Sequence, residues 1–244
     1  MLPKITVTTQ PIEFEAAGLK LHGILHLPKA PKPPVVIGSH GLLADGNSPK
    51  QIALAKACNF QGIAYFRICH RGCGKSEGDF AAVTSLDGRC EDIMAAISHL
   101  TQRPEVGQVI GLFGSSFGGT TCLAVAAKMP SLIIVSYAAP ICSHFLAESM
   151  RVDLDFPKVL CDPNLRRNLI FDLDPILPRV THALIIHGDA DQIVPYSDGL
   201  KIHARIGSPK KFITLANGDH LMSDPKHQAT FTKAAVDWYC KLEE

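Results

Sequence analysis

The hydrophobic positions of this chain fall into two patterns. Near the start, residues 12–15 and 21–27 alternate apolar and polar side chains, as the strands of an antiparallel hairpin do, with Ala17-Gly18 at the turn. Further along, short apolar runs without polar alternation indicate parallel strands that are covered on both faces. These runs are residues 35–37, 63–66, 109–113, 132–137, 183–186 and 212–215.

Segments with helical spacing separate the apolar runs. Ser48-Pro49 places an N-cap residue before a proline at the first helical position, and Ile93, Ala96 and Leu100 share one helix face. The predicted helices are residues 48–59, 87–100, 117–129, 197–206 and 224–242. Buried strands that alternate with helices are typical of an α/β fold with a doubly wound, mostly parallel sheet.

One region breaks this alternation. Residues 142–180 lie between two predicted strands, carry mixed charge and are interrupted by Pro157, Pro163, Pro175 and Pro178. Insertions of this length are usually lids or binding loops. We therefore expect residues 1–244 to form a single domain, with residues 142–180 as a cap inserted within it.

Composition and charge restrict the classes of partner. Hydrophobic residues make up 46% and charged residues 19% of the 244 positions, which excludes intrinsic disorder. The net charge is +1, so neither nucleic acid nor an anionic membrane is expected as a partner. No apolar run is long enough for a membrane span. We expect a small-molecule partner, and the sequence does not predict an oligomeric state.

Cysteine usage and the first residues bear on location. The eight cysteines lie in apolar segments without the spacing of a disulfide framework or a zinc site. Residues 1–20 contain no apolar core preceded by positive charge, so no secretory signal is expected. We therefore expect buried thiols in a reducing, cytoplasmic location, and neither a metal nor a cofactor.

A candidate nucleophile follows the run at residues 109–113. Gly114-Ser115-Ser116-Phe117-Gly118 stands between that predicted strand and the helix that begins at residue 117. In a strand–turn–helix context this Gly-x-Ser-x-Gly pattern indicates a nucleophile elbow, which exposes the central hydroxyl beside a helix N-terminus. Ser116 is the predicted nucleophile.

A serine hydroxyl needs a base, and the base needs an orienting acid. His220 follows the last predicted strand and is the predicted base. The end of the preceding strand offers Asp189 and Asp191. We favour Asp191, because the loop has turned by that position and its carboxylate projects toward Ser116. Along the chain the serine comes first, the aspartate second and the histidine last. This order of Ser116, Asp191 and His220 is typical of one of the known folds that carry a Ser-His-Asp triad and differs from the order in the others.

The oxyanion formed by serine attack needs two donors. The backbone N–H of Phe117 is the first candidate. The second is expected from the loop after residues 35–37, where we assign the N–H of Leu42, with Gly41 as the alternative. His40, in the same loop, is more typical of a structural histidine than of a catalytic base.

These motifs resemble those of the α/β-hydrolase superfamily, in particular its small esterase, lipase-like and serine-aminopeptidase-related members. The resemblance covers nearly the whole chain. The matching segments are residues 40–41, 71–78, 114–119, 188–195 and 218–220. The resemblance to this superfamily implies an eight-stranded, mostly parallel sheet flanked by helices, with a cap over the catalytic edge. Ser115, where such proteins often have histidine, and Leu42, where they often have an aromatic residue, alter the expected shape of the acyl pocket.

The expected activity is that of a carboxylesterase-like serine hydrolase acting on esters of small to medium acyl chains through an acyl-enzyme. Two alternatives remain open at this stage. One is a thioesterase, or an aminopeptidase-like amidase in which a cap carboxylate binds the free amine; the other is a non-catalytic ligand-binding protein. The candidate carboxylates are Glu148, Asp153, Asp155 and Asp162. The expected pocket residues are His40, Gly41, Ser115, Phe145, Phe156 and Ile193.

Overall fold

A computed structural model describes residues 8–143 and 158–241. In those ranges the strands are β1 (Thr8–Ala16), β2 (Leu19–Leu27), β3 (Val35–Ser39), β4 (Ala64–Cys69), β5 (Val109–Ser115), β6 (Ile133–Tyr137), β7 (Ala183–Gly188) and β8 (Lys210–Leu215). They form one sheet in the order β1-β2-β4-β3-β5-β6-β7-β8. β1 pairs with β2, and β2 with β4, in antiparallel fashion, and the other neighbours are parallel. The predicted mostly parallel eight-stranded sheet is confirmed.

The helices lie between the strands, as predicted, and two further short ones occur. In the described ranges they are α1 (Pro49–Phe60), α2 (Phe80–Val83), α3 (Leu86–Thr101), α4 (Phe117–Ala126), α5 (Pro163–Asn168), α6 (Tyr196–Arg205) and α7 (Pro225–Lys241). Two 3-10 turns, Lys158–Cys161 and Leu177–Arg179, flank α5 in the chain. Ser48 occupies the N-cap position of α1, but its side chain makes no capping hydrogen bond. None of the described helices is both long and apolar enough to cross a membrane.

Alternate residues of the central strands face two separate cores. On β3, Ile37 packs in the core that contains α3 and α4, whereas Val36 packs in the core that contains α1 and α7. This two-residue alternation follows from strand geometry, and both faces are buried because helices cover each of them. The buried apolar runs seen in the sequence have this origin.

The carboxyl ends of the parallel strands meet at one edge of the sheet. Ser39 at the end of β3 pairs with Gly114, and Ser115 at the end of β5 pairs with Tyr137. On the other side, Gly188 at the end of β7 pairs with Leu215. Ligand sites in open α/β sheets lie at this edge, and the loops that follow β3, β5, β7 and β8 therefore share one region.

The predicted insertion leaves and rejoins the sheet through paired backbone segments. Cys142 and Asp172 form an antiparallel bridge, and the N–H of Leu173 donates to the carbonyl oxygen of Ile141 at 2.9 Å. Of the cap residues expected from sequence, Phe145, Phe156, Glu148, Asp153 and Asp155 lie outside the described residues.

Candidate active site

Ser116 lies at a sharp turn between β5 and α4. Its backbone has φ 55° and ψ −128°, which is a strained conformation for a residue with a side chain. A Cβ on Gly114 would lie under 3.0 Å from the carbonyl oxygen of Gly118, and one on Gly118 would come equally close to that of Ser39. The two glycines therefore permit the close approach of strand and helix that exposes the Ser116 hydroxyl at the N-terminus of α4.

His220 and Asp191 form a hydrogen-bonded pair at the ends of β8 and β7. The Nδ1–H of His220 donates to Oδ2 of Asp191 at 2.8 Å. The other carboxylate oxygen accepts from the N–H groups of Ile193 and Val194, each at 2.9 Å. Asp189, the alternative acid, instead accepts from the N–H of Asn217 at 2.6 Å. The geometry thus pairs the imidazole with Asp191.

The environment of Asp191 keeps its carboxylate ionised. Burial acts to raise its pKa, but hydrogen bonds from His187, His220 and the N–H of Val194 outweigh burial and hold the pKa below its ordinary value. An ionised Asp191 accepts the Nδ1 proton of His220 and so selects the tautomer of the neutral ring in which Nε2 carries no proton. In that tautomer the imidazole is ready to accept a proton.

His187 is a second imidazole beside the acid. Its Nε2 lies 3.4 Å from Oδ2 of Asp191 and 3.1 Å from the carbonyl oxygen of Val194. His187 is buried, and its ring stands edge-on to that of Tyr196. It therefore supports the acid from the protein interior.

The elbow and the base loop are connected through Tyr137. The N–H of Ser116 donates to the carbonyl oxygen of Tyr137 at 2.8 Å, and the Tyr137 hydroxyl donates to the carbonyl oxygen of Asp219. Among the described residues, no hydrogen bond joins the Ser116 hydroxyl directly to His220. In ligand-free catalytic sites such bonds are often long and shorten when substrate binds.

The loop after β3, residues 40–42, lies against the elbow. A Cβ on Gly41 would be 3.7 Å from Cβ of Ser116. Within the described residues, the N–H groups of Leu42 and Phe117 have no hydrogen-bond acceptor. Backbone N–H groups that have no acceptor and lie close to a candidate nucleophile are what an oxyanion hole requires.

His40 supports this loop from beneath. It is 1% exposed, its Nε2 accepts from the N–H of His70 at 3.1 Å, and its Nδ1 donates to the carbonyl oxygen of Gly41 at 2.8 Å. Burial and, next, the charge of Arg89 hold the pKa of His40 well below its ordinary value. Because both ring nitrogens bond to backbone, His40 braces the loop and does not face a substrate pocket, contrary to its place among the expected pocket residues.

A second Ser–His–Asp arrangement lies behind the loop. Ser39 Oγ is 2.8 Å from Nε2 of His70, and Nδ1 of His70 is 3.0 Å from Oδ2 of Asp92. Arg71 also donates to Asp92 through its N–H and its Nε. Burial lowers the pKa of His70 to about 4, so the ring is neutral at pH 7. Ser39, His70 and Asp92 are fully buried, and this arrangement is therefore structural.

A cavity of about 660 Å³ opens beside the loop. Its volume is in the range of small-molecule sites. Ser116, Asp191 and His220 are not part of its wall. Gly41, Ser115 and Ile193 are not part of it either, so this cavity does not test the expectation that they line the acyl pocket. The cavity is lined by Leu42, Leu43, Ala44, Asp45, Asn47, Ser48, Pro49, Gly72, Cys73, Gly74, Phe80 and Val159.

The described part of the insertion packs on this side of the molecule. Its side chains cluster with those of Leu42, Phe117 and Val194, and the contributing residues are Leu160, Leu165, Leu169 and Phe171. The described residues contain no group of three or more His, Cys, Asp or Glu side chains arranged to hold a metal ion.

Several polar residues of this region were not predicted from sequence, namely Arg89, His70, Asp92 and His187. For two of them, Arg89 and Asp92, the sequence does contain an indication. Arg89 and Asp92 lie on the same face of α3 as Ile93, Ala96 and Leu100, and all five are buried. Two charged residues within an apolar helix stripe indicate a buried polar cluster.

Comparisons with known proteins agree with this architecture. Residues 30–151, half of the chain, match the family model described as serine aminopeptidase, S33. The uncharacterized protein YfhR of Salmonella typhimurium is 29% identical over 76% of this chain and 64% of its own length, so this chain spans less than two thirds of that relative. The mitochondrial palmitoyl-protein thioesterase ABHD10 of Mus musculus is 24% identical over 79% of this chain and 71% of its own length.

Among solved structures, Est1E from Butyrivibrio proteoclasticus, determined with bound ferulic acid, superposes with a TM-score of 0.79 at 20% identity. The superposition covers 95% of this chain and 98% of that one. At this level of identity the likeness concerns the fold.

Proposed function

This chain belongs to the serine aminopeptidase S33 family of the α/β-hydrolase superfamily, and from this premise we propose that it is a serine hydrolase that cleaves carboxylic esters of small to medium acyl chains. The observation that carries the proposal is the strained elbow of Ser116, which shares one sheet edge with the hydrogen-bonded Asp191–His220 pair. Strained backbone of this kind clusters at functional sites, which supports a catalytic role for Ser116.

In the proposed reaction Nε2 of His220 takes the hydroxyl proton as Ser116 Oγ attacks the carbonyl carbon. Asp191 stabilises the imidazolium that forms. The protonated imidazole then donates to the leaving alcohol, which departs and leaves an acyl-enzyme. Water attacks the acyl-enzyme with His220 again as the base, and the acid product leaves with Ser116 regenerated.

The N–H groups of Leu42 and Phe117 supply the oxyanion hole in this proposal. Phe117 follows Ser116 directly in the chain, and Gly41, the residue before Leu42, lies against Ser116, so both N–H groups belong to backbone that adjoins the serine. Removal of one such donor from a serine hydrolase typically lowers kcat by about 10²–10³.

The cavity and the cap support the proposed substrate class. The cavity wall is largely apolar beside Leu42, with Leu43, Phe80 and Val159 among its side chains. We propose that residues 142–180 act as a cap, since the described part of this segment packs on Leu42 and Phe117. An apolar acyl chain is the ligand that such a wall binds best.

A thioester substrate is the second candidate, and the similarity to ABHD10 favours it. The same triad and the same apolar cavity would serve an acyl thioester. An aminopeptidase has less support, because it needs a carboxylate for the free amine. Among the four carboxylates considered for that role, Asp162 caps α5 through the N–H groups of Asn164 and Leu165, and the others lie outside the described residues.

The buried thiols of Cys58, Cys90 and Cys122 suit a reducing compartment, and we propose a cytoplasmic location.

The test is the Ser116→Ala variant with Ser98→Ala, on the exposed surface of α3, as its control. We expect Ser116→Ala to lose turnover of a nitrophenyl ester and labelling by a fluorophosphonate, whereas Ser98→Ala keeps both. Equal turnover in wild type and Ser116→Ala would refute the proposal. A parallel series of aryl esters, acyl thioesters and aminoacyl anilides with matched acyl groups would then decide between the candidate substrates.

A further inference from the structure

We propose that Arg89 is a positioning residue that orients and polarises the oxyanion loop, residues 40–42. This inference rests on the proposed function and adds to it a buried cation that does not touch the substrate.

Arg89 extends from α3 to the underside of the loop and is fully buried. Its Nη1 donates to the carbonyl oxygens of His40 at 2.9 Å and Gly41 at 3.3 Å, and its Nη2 donates to that of Leu42 at 3.1 Å. A single guanidinium thus holds three consecutive carbonyl groups.

The contact between Arg89 and the carbonyl of Gly41 also fixes the direction of the Leu42 N–H, because both groups belong to the same peptide unit. In a planar trans peptide, the C=O of one residue and the N–H of the next point in opposite directions. Arg89, together with Nδ1 of His40 at 2.8 Å, holds the carbonyl of Gly41 on the interior side, so the N–H of Leu42 is directed to the opposite side of the loop. Gly41 faces Ser116 there, with its Cβ position 3.7 Å from that of the serine.

The same cation also contacts the residue that supplies the second donor. The guanidinium carbon of Arg89 lies 5.0 Å from the centre of the Phe117 ring, within the range of cation–π attraction. Arg89 therefore links the loop that carries the Leu42 N–H to the helix start that carries the Phe117 N–H.

Besides the three carbonyl oxygens, the guanidinium of Arg89 contacts Sγ of Cys73, at 3.8 Å from Nη2. Among the described residues, no carboxylate lies within ion-pair distance of its guanidinium, and its Nε has no hydrogen-bond partner. A buried charge without a paired carboxylate is costly. A positive charge that is bound to the carbonyl side of a peptide polarises that peptide and strengthens its N–H as a donor to a developing anion.

The test compares Arg89→Met and Arg89→Lys with Arg67→Met. Arg67 is the matched control because it is a buried arginine that also holds loop backbone, through the carbonyl of Gly46, and donates to Nε2 of His26 at 2.8 Å. The readouts are kcat and KM for a nitrophenyl ester, the affinity for an alkyl boronic acid that forms a tetrahedral adduct with serine, and Tm.

We expect Arg89→Met to lower kcat by about 100-fold and boronic-acid affinity by a similar factor, with KM changed less than about threefold. Arg89→Lys should recover part of both losses, since an ammonium keeps the charge but not the three-way geometry. Arg67→Met should lower Tm while kcat stays within about threefold of wild type.

The inference is overturned if Arg89→Met keeps kcat and boronic-acid affinity within about threefold of wild type, or if Arg67→Met loses as much of both. If Arg89→Met does not fold, unchanged values in Arg89→Lys overturn it equally. Retained turnover in Ser116→Ala would overturn both this inference and the proposed function. Ser116-dependent turnover with no effect of Arg89 overturns the inference alone.

Discussion

Gly188 and Gly218 touch through their backbones. A Cβ on Gly188 would lie under 3.0 Å from the carbonyl oxygen of Gly218, and the N–H of Ala190 donates to that same oxygen at 3.1 Å. This contact joins the loop that follows β7 to the loop that follows β8. Asp191 and His220, which follow these glycines in the chain, reach each other because the two loops are in contact.

Gly188→Ala should therefore destabilise the protein and separate the acid from the base. The added methyl group meets rigid backbone, and we expect a loss of about 2–3 kcal/mol in the free energy of unfolding together with lower kcat. Chemical denaturation measures the loss. Gly41→Ala is the comparison for stability, since its Cβ would meet neighbours only at 3.6 Å and beyond. Equal stability of Gly188→Ala and wild type would show that the loops adjust.

Asp191→Asn and Asp189→Asn separate the two candidate acids. Asp191 accepts from His220, whereas Asp189 holds the N–H of Asn217. We expect Asp191→Asn to lower kcat by about 10³–10⁴, because the amide no longer fixes the tautomer of His220 or stabilises its cation. Asp189→Asn should change kcat by less than about tenfold. Steady-state kinetics on one ester decides, and a larger loss in Asp189→Asn would reverse the assignment.

The stability of the protein should fall as the pH is lowered from about 6.5 to about 4. His26 is buried and accepts a hydrogen bond from Nε of Arg67, and burial, followed by the charges of Arg67 and Lys56, lowers its pKa to about 4. The unfolded chain, with an ordinary histidine pKa near 6.5, binds the proton first. Stability is therefore fully present above pH 6.5 and is lost as the pH falls toward the folded-state pKa.

His26→Asn should make this pH dependence shallower, by up to about 3 kcal/mol between pH 7 and pH 4. The measurement is the free energy of unfolding at a series of pH values, and the slope is compared because the substitution also alters the bond to Arg67. His227→Asn, on α7, is the control and should keep the wild-type slope. An unchanged slope in His26→Asn would mean that His26 does not contribute.

Leu43→Ala should weaken the preference for longer acyl chains. Leu43 lines the cavity and is half exposed, whereas Leu200, with a similar exposure, lies on α6 away from the cavity wall. Loss of about 1 kcal/mol of apolar contact lowers kcat/KM about fivefold for a chain that reaches Leu43 and leaves acetyl esters unaffected. Leu200→Ala should behave as wild type across the series. Equal losses at every chain length would place the acyl chain elsewhere.

The central strands could be read from sequence because their apolar runs have no polar alternation. The ends of β3 and β5 could not, since Gly38-Ser39 and Gly114-Ser115 are small or polar yet continue the ladder. The strands still pair there, Ser39 with Gly114, because the bonds between strands are made by backbone groups and do not require apolar side chains. The two strands thus continue into the candidate site. The residue types at their ends suit the close packing of backbone and the polar contacts of that site, so they lack the apolar pattern of a buried strand.

The short helices α2 and α5 could not be predicted from the sequence for a different reason. With four and six residues they are too short for a helical period to show, and each begins at an aspartate cap, Asp79 and Asp162. The positions of Ser116, Asp191 and His220 could be proposed because each follows a recognisable strand. The polar contacts of Arg89 depend on where α3 packs, which tertiary structure decides.

The interior Ser39–His70–Asp92 array shows how little a constellation of atoms says about reactivity. Ser, His and Asp side chains come together at two places in the described residues, but Ser39, His70 and Asp92 are fully buried, whereas Ser116 and His220 are partly exposed. Access to solvent distinguishes the proposed catalytic residues from this buried set. Engineering a second activity at Ser39 would therefore begin by opening a path from the surface to its side chain.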